Sequence, residues 1–343
     1  MKQKRGGFLQ SIDRQKNNNK MKGYNESSAT KKADAKRKGI TMPMTIRYFS
    51  LLLFSFFLGT DHVQGQAQAD TVQTMQAKAP ETQPFGAEAF NPSNKTTLRW
   101  LGMAGFFINS RGTTLMVDPL LKGFDMPVLI DFPIATEDVP RLDAILVTHA
   151  DNDHYSIPTN LDLAAVTDEF HSTEYVDSLM KNEGFPSFGH DIGETFNIGP
   201  VRVTLTPADH AWQNASSGTN KRHFKDEDSA GFWIETPDGS IWATGDSRLM
   251  PEHLQMPTPD AILFDFSDSE WHFTLEGAVK LANAYPHTPL LLHHWGSVDA
   301  PDFAPFNADP EQLEKMVVNP ERIYVLAPGE PFTLKRLKNR AKK

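Results

Sequence analysis

From residue 97 onward the chain is a succession of short apolar or alternating runs, separated by Gly, Pro, Asp and Asn. The runs are TLRWLG (97–102), FFINS (106–110), TTLMVD (113–118), AILVTH (144–149), VRVTLTPADH (201–210), GFWIET (231–236), SIWATGD (240–246), AILFDF (261–266), PLLLHH (289–294) and RIYVLAP (322–328). Their length and their enrichment in β-branched and aromatic residues predict strands. Arg111-Gly112 and Pro237-Asp238-Gly239 are turn formers between paired runs and predict two hairpins. Helical spacing is rarer. It appears in TEYVDSLMKNEG (173–184, bounded by Ser172 and Gly184), in TLEGAVKLANAY (274–285), and in PEQLEKMVV (310–318), where Pro310 takes a tolerated first-turn position. Strands dominate, helices are interspersed and no repeat is visible. The pattern predicts an α/β (α+β) fold of two sheets packed face to face with helices outside.

The part before residue 96 reads differently. Residues 1–47 are polar and basic with no hydrophobic period, and an apolar run, YFSLLLFSFFLG (48–59), follows them. A basic flank, a short apolar core and an Ala67-x-Ala69 ending are the parts of a secretory signal peptide. The run falls short of the roughly 18–20 residues that span a bilayer, so a membrane anchor is the weaker reading and no stable span is expected after cleavage. The flank is long for a signal, which points to Met42 or Met44 as the start of translation. Residues 70–95, rich in Pro, Ala and Gln, read as a flexible leader. The expected map is therefore 1–69 extension and signal, 70–95 leader, and 96–343 one large domain, exported to a bacterial periplasm.

Charge and cysteine count narrow the function classes. Residues 1–69 hold 13 of the 34 Lys and Arg and only 4 of the 43 Asp and Glu, so residues 70–343 carry a net charge of −18. Such a surface repels phosphate backbones, and no nucleic-acid partner is expected. The chain has no cysteine, which excludes disulfides, lipid-modified cysteine and every thiolate metal site.

The candidate chemistry sits at strand ends. AILVT runs into His149, VTLTPAD into His210, SIWATG into Asp246 and PLLLH into His294. The segment HADNDH packs His149, Asp151, Asp153 and His154 into six residues. Strand ends are rigid platforms, and a metal site needs its ligands held closely. Imidazole and carboxylate suit Zn²⁺, Fe or Mn²⁺. Each residue alone has a plainer reading, since Asp-Asn-Asp and Gly-Asp are common turn chemistry. His293 and His294 must point to opposite sides of their strand, and the sequence leaves open which is the ligand.

The blocks LRWLGMAGFFINSRGTTLMVDPLL (98–121), VTHADNDHY (147–155), TPADH (206–210), GFWIETPDGSIWATGDS (231–247) and LLHHWG (291–296) resemble, in order and spacing, the metallo-β-lactamase superfamily. The resemblance is greatest to its branch of metal-dependent hydrolases similar to ascorbate-6-phosphate lactonase and N-acylphosphatidylethanolamine-hydrolysing phospholipase D. It covers about residues 97–335 and implies an αββα sandwich with a one- or two-metal site along one edge of the sheets. It also implies that His149, position 151 and His210 bind a first metal, that Asp153, His154 and His294 bind a second, and that Asp246 bridges them. The departure is Asp151, where the usual HxHxDH pattern has histidine; some DNA-uptake-associated members carry a similar HxDxDH form. An aspartate adds negative charge and hardness, shifting preference from Zn²⁺ toward Mn²⁺ or Fe, or leaves the first site weakly occupied.

The implied activity is hydrolysis of an ester, lactone or phosphodiester by metal-activated water, with Asp153 orienting the water or shuttling its proton. Asp118 is expected to be structural, a carboxylate beneath the site. Trp212 and Trp295, just past predicted ligands, are expected at the pocket rim and suggest a small-molecule or lipid-like substrate with an apolar portion. Arg248 and His272 are candidates for holding an anionic group. Two alternatives stand beside this reading: a β-lactam hydrolase, and a non-catalytic metal-containing binding protein of the same fold.

Overall fold

The computed structural model describes residues 76–215 and 222–337. Residues 1–75, which hold the expected signal peptide, lie outside the described residues. The Arg-Gly turn forms as expected. Arg111 and Gly112 both take positive φ, 58° and 106°, the pair of values that a two-residue hairpin with the natural strand twist demands. It joins β2 (Gly105–Ser110) to β3 (Thr113–Val117), and β1 (Thr96–Gly102) lies antiparallel on the other side of β2. Next come β4 (Leu142–Leu146), α1 (Ile157–Leu163), β5 (Thr167–Thr173), α2 (Glu174–Glu183) and β6 (Ser187–His190), the strands adding in parallel.

The second sheet starts with an antiparallel set: β7 (Thr195–Ile198), β8 (Val201–Pro207), β9 (Ala230–Thr236) and β10 (Gly239–Ala243). β11 (Ala261–Asp265), α3 (Thr274–Ala284), β12 (Leu290–His293), α4 (Pro310–Met316) and β13 (Ile323–Tyr324) follow, again with parallel strand pairing. The last strand, β14 (Pro331–Thr333), returns to pair with β1. Each sheet has seven strands, ordered β14-β1-β2-β3-β4-β5-β6 and β13-β12-β11-β10-β9-β8-β7.

Why these runs are so apolar is clear from the packing. Along β2, Phe106 and Ile108 point between the sheets while Phe107 points outward; along β3, Leu115 and Val117 point in and Met116 out. Both faces are covered, so both side-chain sets are hydrophobic. The outer face of the first sheet packs on Leu163 of α1 and on Val176 and Met180 of α2. The outer face of the second, through Ile262, Phe264 and Leu292, packs on Ala278 and Leu281 of α3 and Leu313 of α4. The result is the expected αββα sandwich.

Three expectations change. Residues 76–95 are not a loose leader: Phe85 stacks on Phe107 at 5.6 Å and Phe90 packs on it, tilted, at 4.5 Å, and Asn109 Nδ2 donates to the carbonyls of Ala89 and Asn91. Two aromatic anchors outweigh a polar composition. The run RIYVLAP keeps only Ile323 and Tyr324 as strand, because the chain must then cross to the other sheet, where Gly329 N meets Trp100 O. α1, the polar strand β5 and the short strands β6 and β7 carry too weak a pattern to be read beforehand. Among the described residues, no helix is long and apolar enough to cross a membrane.

Candidate metal centre

The predicted ligands come together just past strand ends of both sheets. His149 follows β4, His210 follows β8, Asp246 follows β10 and His294 follows β12. The local backbone is unusual where it must turn a side chain inward: Gly245 has φ 64° and His294 φ 69°, both in the left-handed region. A Cβ on Gly245 would lie 2.6 Å from Ala230 O, so only glycine lets β10 approach β9 so closely before Asp246.

Five imidazoles share one arrangement. Nδ1 of His154 meets Asp118 Oδ2 at 2.8 Å, that of His210 meets Trp271 O at 2.9 Å, and that of His294 meets Pro305 O at 2.8 Å. His272 Nδ1 lies 3.0 Å from each oxygen of Asp265. Thr148 Oγ1 donates to Asp118 Oδ2, leaving its lone pairs to accept from His149 Nδ1 at 3.0 Å. These partners fix the Nδ1–H tautomer and leave each Nε2 as a lone-pair donor. The Nε2 atoms converge. His294 Nε2 is 3.1 Å from both Asp153 Oδ2 and Asp246 Oδ2, and His154 Nε2 is 3.1 Å from Asp246 Oδ2. His210 and His272 Nε2 stand 3.8 and 3.7 Å from the same Asp246 oxygen. Two donor sets share Asp246: Asp153, His154, Asp246 and His294; and His149, His210 and Asp246.

Electrostatics points the same way. Burial works against charge on His154 and His294, but Asp246 and Asp153 outweigh it, with Asp118 adding to the effect on His154, and both imidazoles are pushed well above their ordinary range. Burial would raise the Asp246 carboxyl, yet His154, His294 and His272 hold it well below the usual range. The carboxylates therefore call for positive charge at this centre, which protons or a cation can supply. His149 is the exception, lowered first by burial and then by His154.

Of the seven residues expected as ligands, six fall in these two donor sets, and Asp151 lies beside them. Its Oδ2 accepts from Trp212 Nε1 at 2.6 Å and its Oδ1 from Gln213 Nε2 at 2.8 Å, while Oδ2 also lies 3.3 Å from His149 Nε2 and 3.4 Å from His210 Nε2. Asp118 lies beneath the site as expected, its Oδ1 accepting from Thr148 N. Of the histidine pair, His294 faces the centre and His293 lies against the Phe106 ring, its centroid 5.7 Å away. Trp212 does line the cavity, but Trp295 does not reach the rim: it is 2% exposed and stacks on Trp100. Arg248 is held by Asp209 through two nitrogens, and His272 is grouped with Asp265 and His294 at the centre. Asp265 and His272 are the site residues that strand-end reading missed. A carboxylate closing AILFD, as Asp118 closes TTLMV, was the available signal.

A cavity of about 410 Å³ opens onto Asp153, Asp246, His210 and His294, walled by Phe124, Met126, Trp212, Trp271 and Phe306. Residues 113–295, more than half of the chain, match the family model of the β-lactamase superfamily domain. The chain belongs to the metallo-β-lactamase superfamily of hydrolases. Among curated relatives of this superfamily member are a metal-dependent hydrolase of Pyrococcus abyssi, 26% identical over 69% of this chain and 99% of its own length. Another, from Anaeromyxobacter sp. strain K, is 28% identical over 69% of this chain and 86% of its own. Solved structures with the superfamily fold include a metallo hydrolase from Ignicoccus hospitalis (TM-score 0.57, 19% identity, 71% of this chain and 100% of that one). An isothiocyanate hydrolase from Delia radicum gut bacteria is similar (TM-score 0.55, 16% identity, 69% of this chain and 99% of that one). At such identities the likeness to solved structures speaks for the fold alone.

Proposed function

We propose that this superfamily hydrolase is metal-dependent and cleaves an ester, lactone or phosphodiester bond in a substrate with an apolar part. One observation carries the reading: imidazole Nε2 atoms converge on buried carboxylates, and two inward atoms, His149 Nε2 and Asp246 Oδ1, are buried with no hydrogen-bond partner. A cation satisfies both, and a set of imidazoles and carboxylates without thiolate suits Zn²⁺, Mn²⁺ or Fe. Asp153, His154, Asp246 and His294 would hold one ion; His149, His210 and Asp246 would hold another, with Asp151 beside them. When bound, a divalent ion supplies Lewis acidity and brings the pKa of a water down to about 7.

The remaining chemistry belongs to side chains. Burial would raise the Asp153 carboxyl, but His154 and His294 outweigh it and keep it ionised. Asp153 lines the cavity and accepts the hydrogen bond that orients the attacking water. Phe124, Trp271 and Phe306 hold the apolar part of the substrate and thin out competing water. Both Asp151 oxygens are engaged by Trp212 and Gln213, so the His149–His210 corner holds its ion more loosely than the Asp153–His294 corner.

The test is elemental analysis of purified protein with a screen of chromogenic esters, phosphodiesters and cephalosporins. We expect one tightly held equivalent, loss of turnover with chelator and recovery on re-addition, and a second equivalent in Asp151→His. A metal-loaded protein inert to every substrate sinks the enzymatic reading and favours a binding protein. Export through the segment at residues 48–69 belongs to the same proposal and is checked by the N-terminal sequence of protein recovered from a periplasmic fraction.

A further inference from the structure

The walls of the cavity say more about the substrate than the ligand set does. Resting on the hydrolase reading above, we infer that the substrate is a carboxylic ester or lactone with an uncharged, apolar acyl or aryl group, and that substrates carrying an anionic group away from the reacting carbonyl are disfavoured.

The cavity holds four carboxylates, Asp125, Asp151, Asp153 and Asp246, and no Lys or Arg among its described lining residues. Among the described residues, two cations nearby along the chain are already engaged. Arg248 lies 4.8 Å from the centroid of the cavity-lining Trp271 ring but donates two hydrogen bonds to Asp209, and Lys122 is paired with Asp162. Asp151, beside the His149–His210–Asp246 set with its Oδ2 3.3 and 3.4 Å from the two Nε2 atoms, adds one more negative charge near any bound ion. Recognition of a phosphate or carboxylate away from the metal calls for guanidinium or ammonium donors beside it. Here an anionic group would instead face Asp125 at the rim and aromatic rings elsewhere. The net −18 of residues 70–343 repels anions during approach as well.

The apolar surface is well formed for the opposite kind of ligand. Phe124, Met126, Trp271 and Phe306 line the interior, while Trp212 and Phe303, 39% and 48% exposed, continue the apolar strip to the mouth. Asp151 holds the Trp212 indole in place by accepting from its Nε1. An acyl chain leaving the reacting carbonyl can run along this strip. The carbonyl is neutral until water adds to it, so negative charge develops only next to the metal centre and not at the walls.

A matched pair isolates the charge. Para-nitrophenyl hexanoate and mono-para-nitrophenyl adipate have the same leaving group and chain length, and only the second carries a terminal carboxylate. For the metal-loaded protein, kcat/KM should favour the neutral ester by about tenfold or more, and Asp125→Lys should bring the ratio towards parity. Calorimetric titration gives a second readout, with hexanophenone binding about tenfold more tightly than benzoylpentanoate to both metal-loaded and metal-free protein. Lys221 lies outside the described residues, so Lys221→Ala is run in parallel and should leave both ratios unchanged. Equal or faster turnover of the adipate, tighter binding of benzoylpentanoate, or a Lys221→Ala variant that alone creates the neutral preference overturns the inference. Failure of both esters, with hexanophenone still preferred, overturns the esterase reading and leaves the charge preference standing.

Discussion

Asp118 settles the geometry of two histidines from beneath. Its Oδ2 accepts from Thr148 Oγ1 and from His154 Nδ1, and Thr148 in turn accepts from His149. Asp118→Ala leaves a buried hydroxyl and a buried imidazole without their acceptor. Metal affinity should fall about 10- to 100-fold, read by chelator competition, while Asp118→Asn, which keeps one accepting oxygen, should fall between. An unchanged affinity in both variants would mean that the carboxylate does not orient the ligands. The neighbouring histidines separate by the same logic. His294→Ala should abolish tight metal binding with little change in the unfolding midpoint of metal-free protein. His293→Ala should retain the metal yet lose about 1–3 kcal/mol in urea denaturation, because His293 is buried, is held down to about 4 mainly by burial, and packs on Phe106. Side-chain identity made both histidines candidates in the sequence. The folded chain turns His294, at a left-handed φ of 69°, towards the centre and His293 onto Phe106.

Strands and their ends carry the second set of consequences. Hairpins were legible because Arg-Gly and Pro-Asp-Gly admit few conformations, whereas β5 is polar and β6 and β7 are short, and all three owe their existence to neighbours already in the sheet. The end of β10 matters most for the site. Gly245 at φ 64° turns Asp246 towards the imidazoles, and a methyl group there would press on Ala230 O of β9. Gly245→Ala should therefore cost about 1–3 kcal/mol of stability and reduce metal occupancy together, measured by thermal unfolding and elemental analysis of one preparation. Normal occupancy with normal stability would show that the turn tolerates a side chain and that the close approach of β9 does not position Asp246.

At the scale of the whole molecule, the outer strands of the two sheets are tied by rings. Phe196 of β7 stacks at 4.1 Å on both His171 of β5 and His190 of β6, and His171 Nδ1 lies 2.9 Å from His190 Nε2. Burial first, then His190, pushes His171 down to about 3. The folded protein thus refuses a proton that the unfolded chain takes up below about 6.5, so this contribution to stability is present near neutrality and is lost as pH falls from about 6.5 towards about 3. The slope is at most about 1.4 kcal/mol per pH unit, and His171→Phe should remove that share when urea midpoints at pH 7 and pH 5 are compared. Parallel losses in the two proteins would rule out His171 as the titrating group. Taken alone, the sequence determined the strand-rich sandwich, because apolar runs of strand length can be satisfied only by sheets covered on both faces. It also determined the stock of ligand types, because covalent chemistry does not depend on folding. Tertiary structure decided which atoms face one another: Asp151 towards Trp212, His272 into the centre through Asp265, and Trp295 into the core. Those choices follow from long-range packing and hydrogen bonding between segments far apart in the chain, which no local pattern encodes.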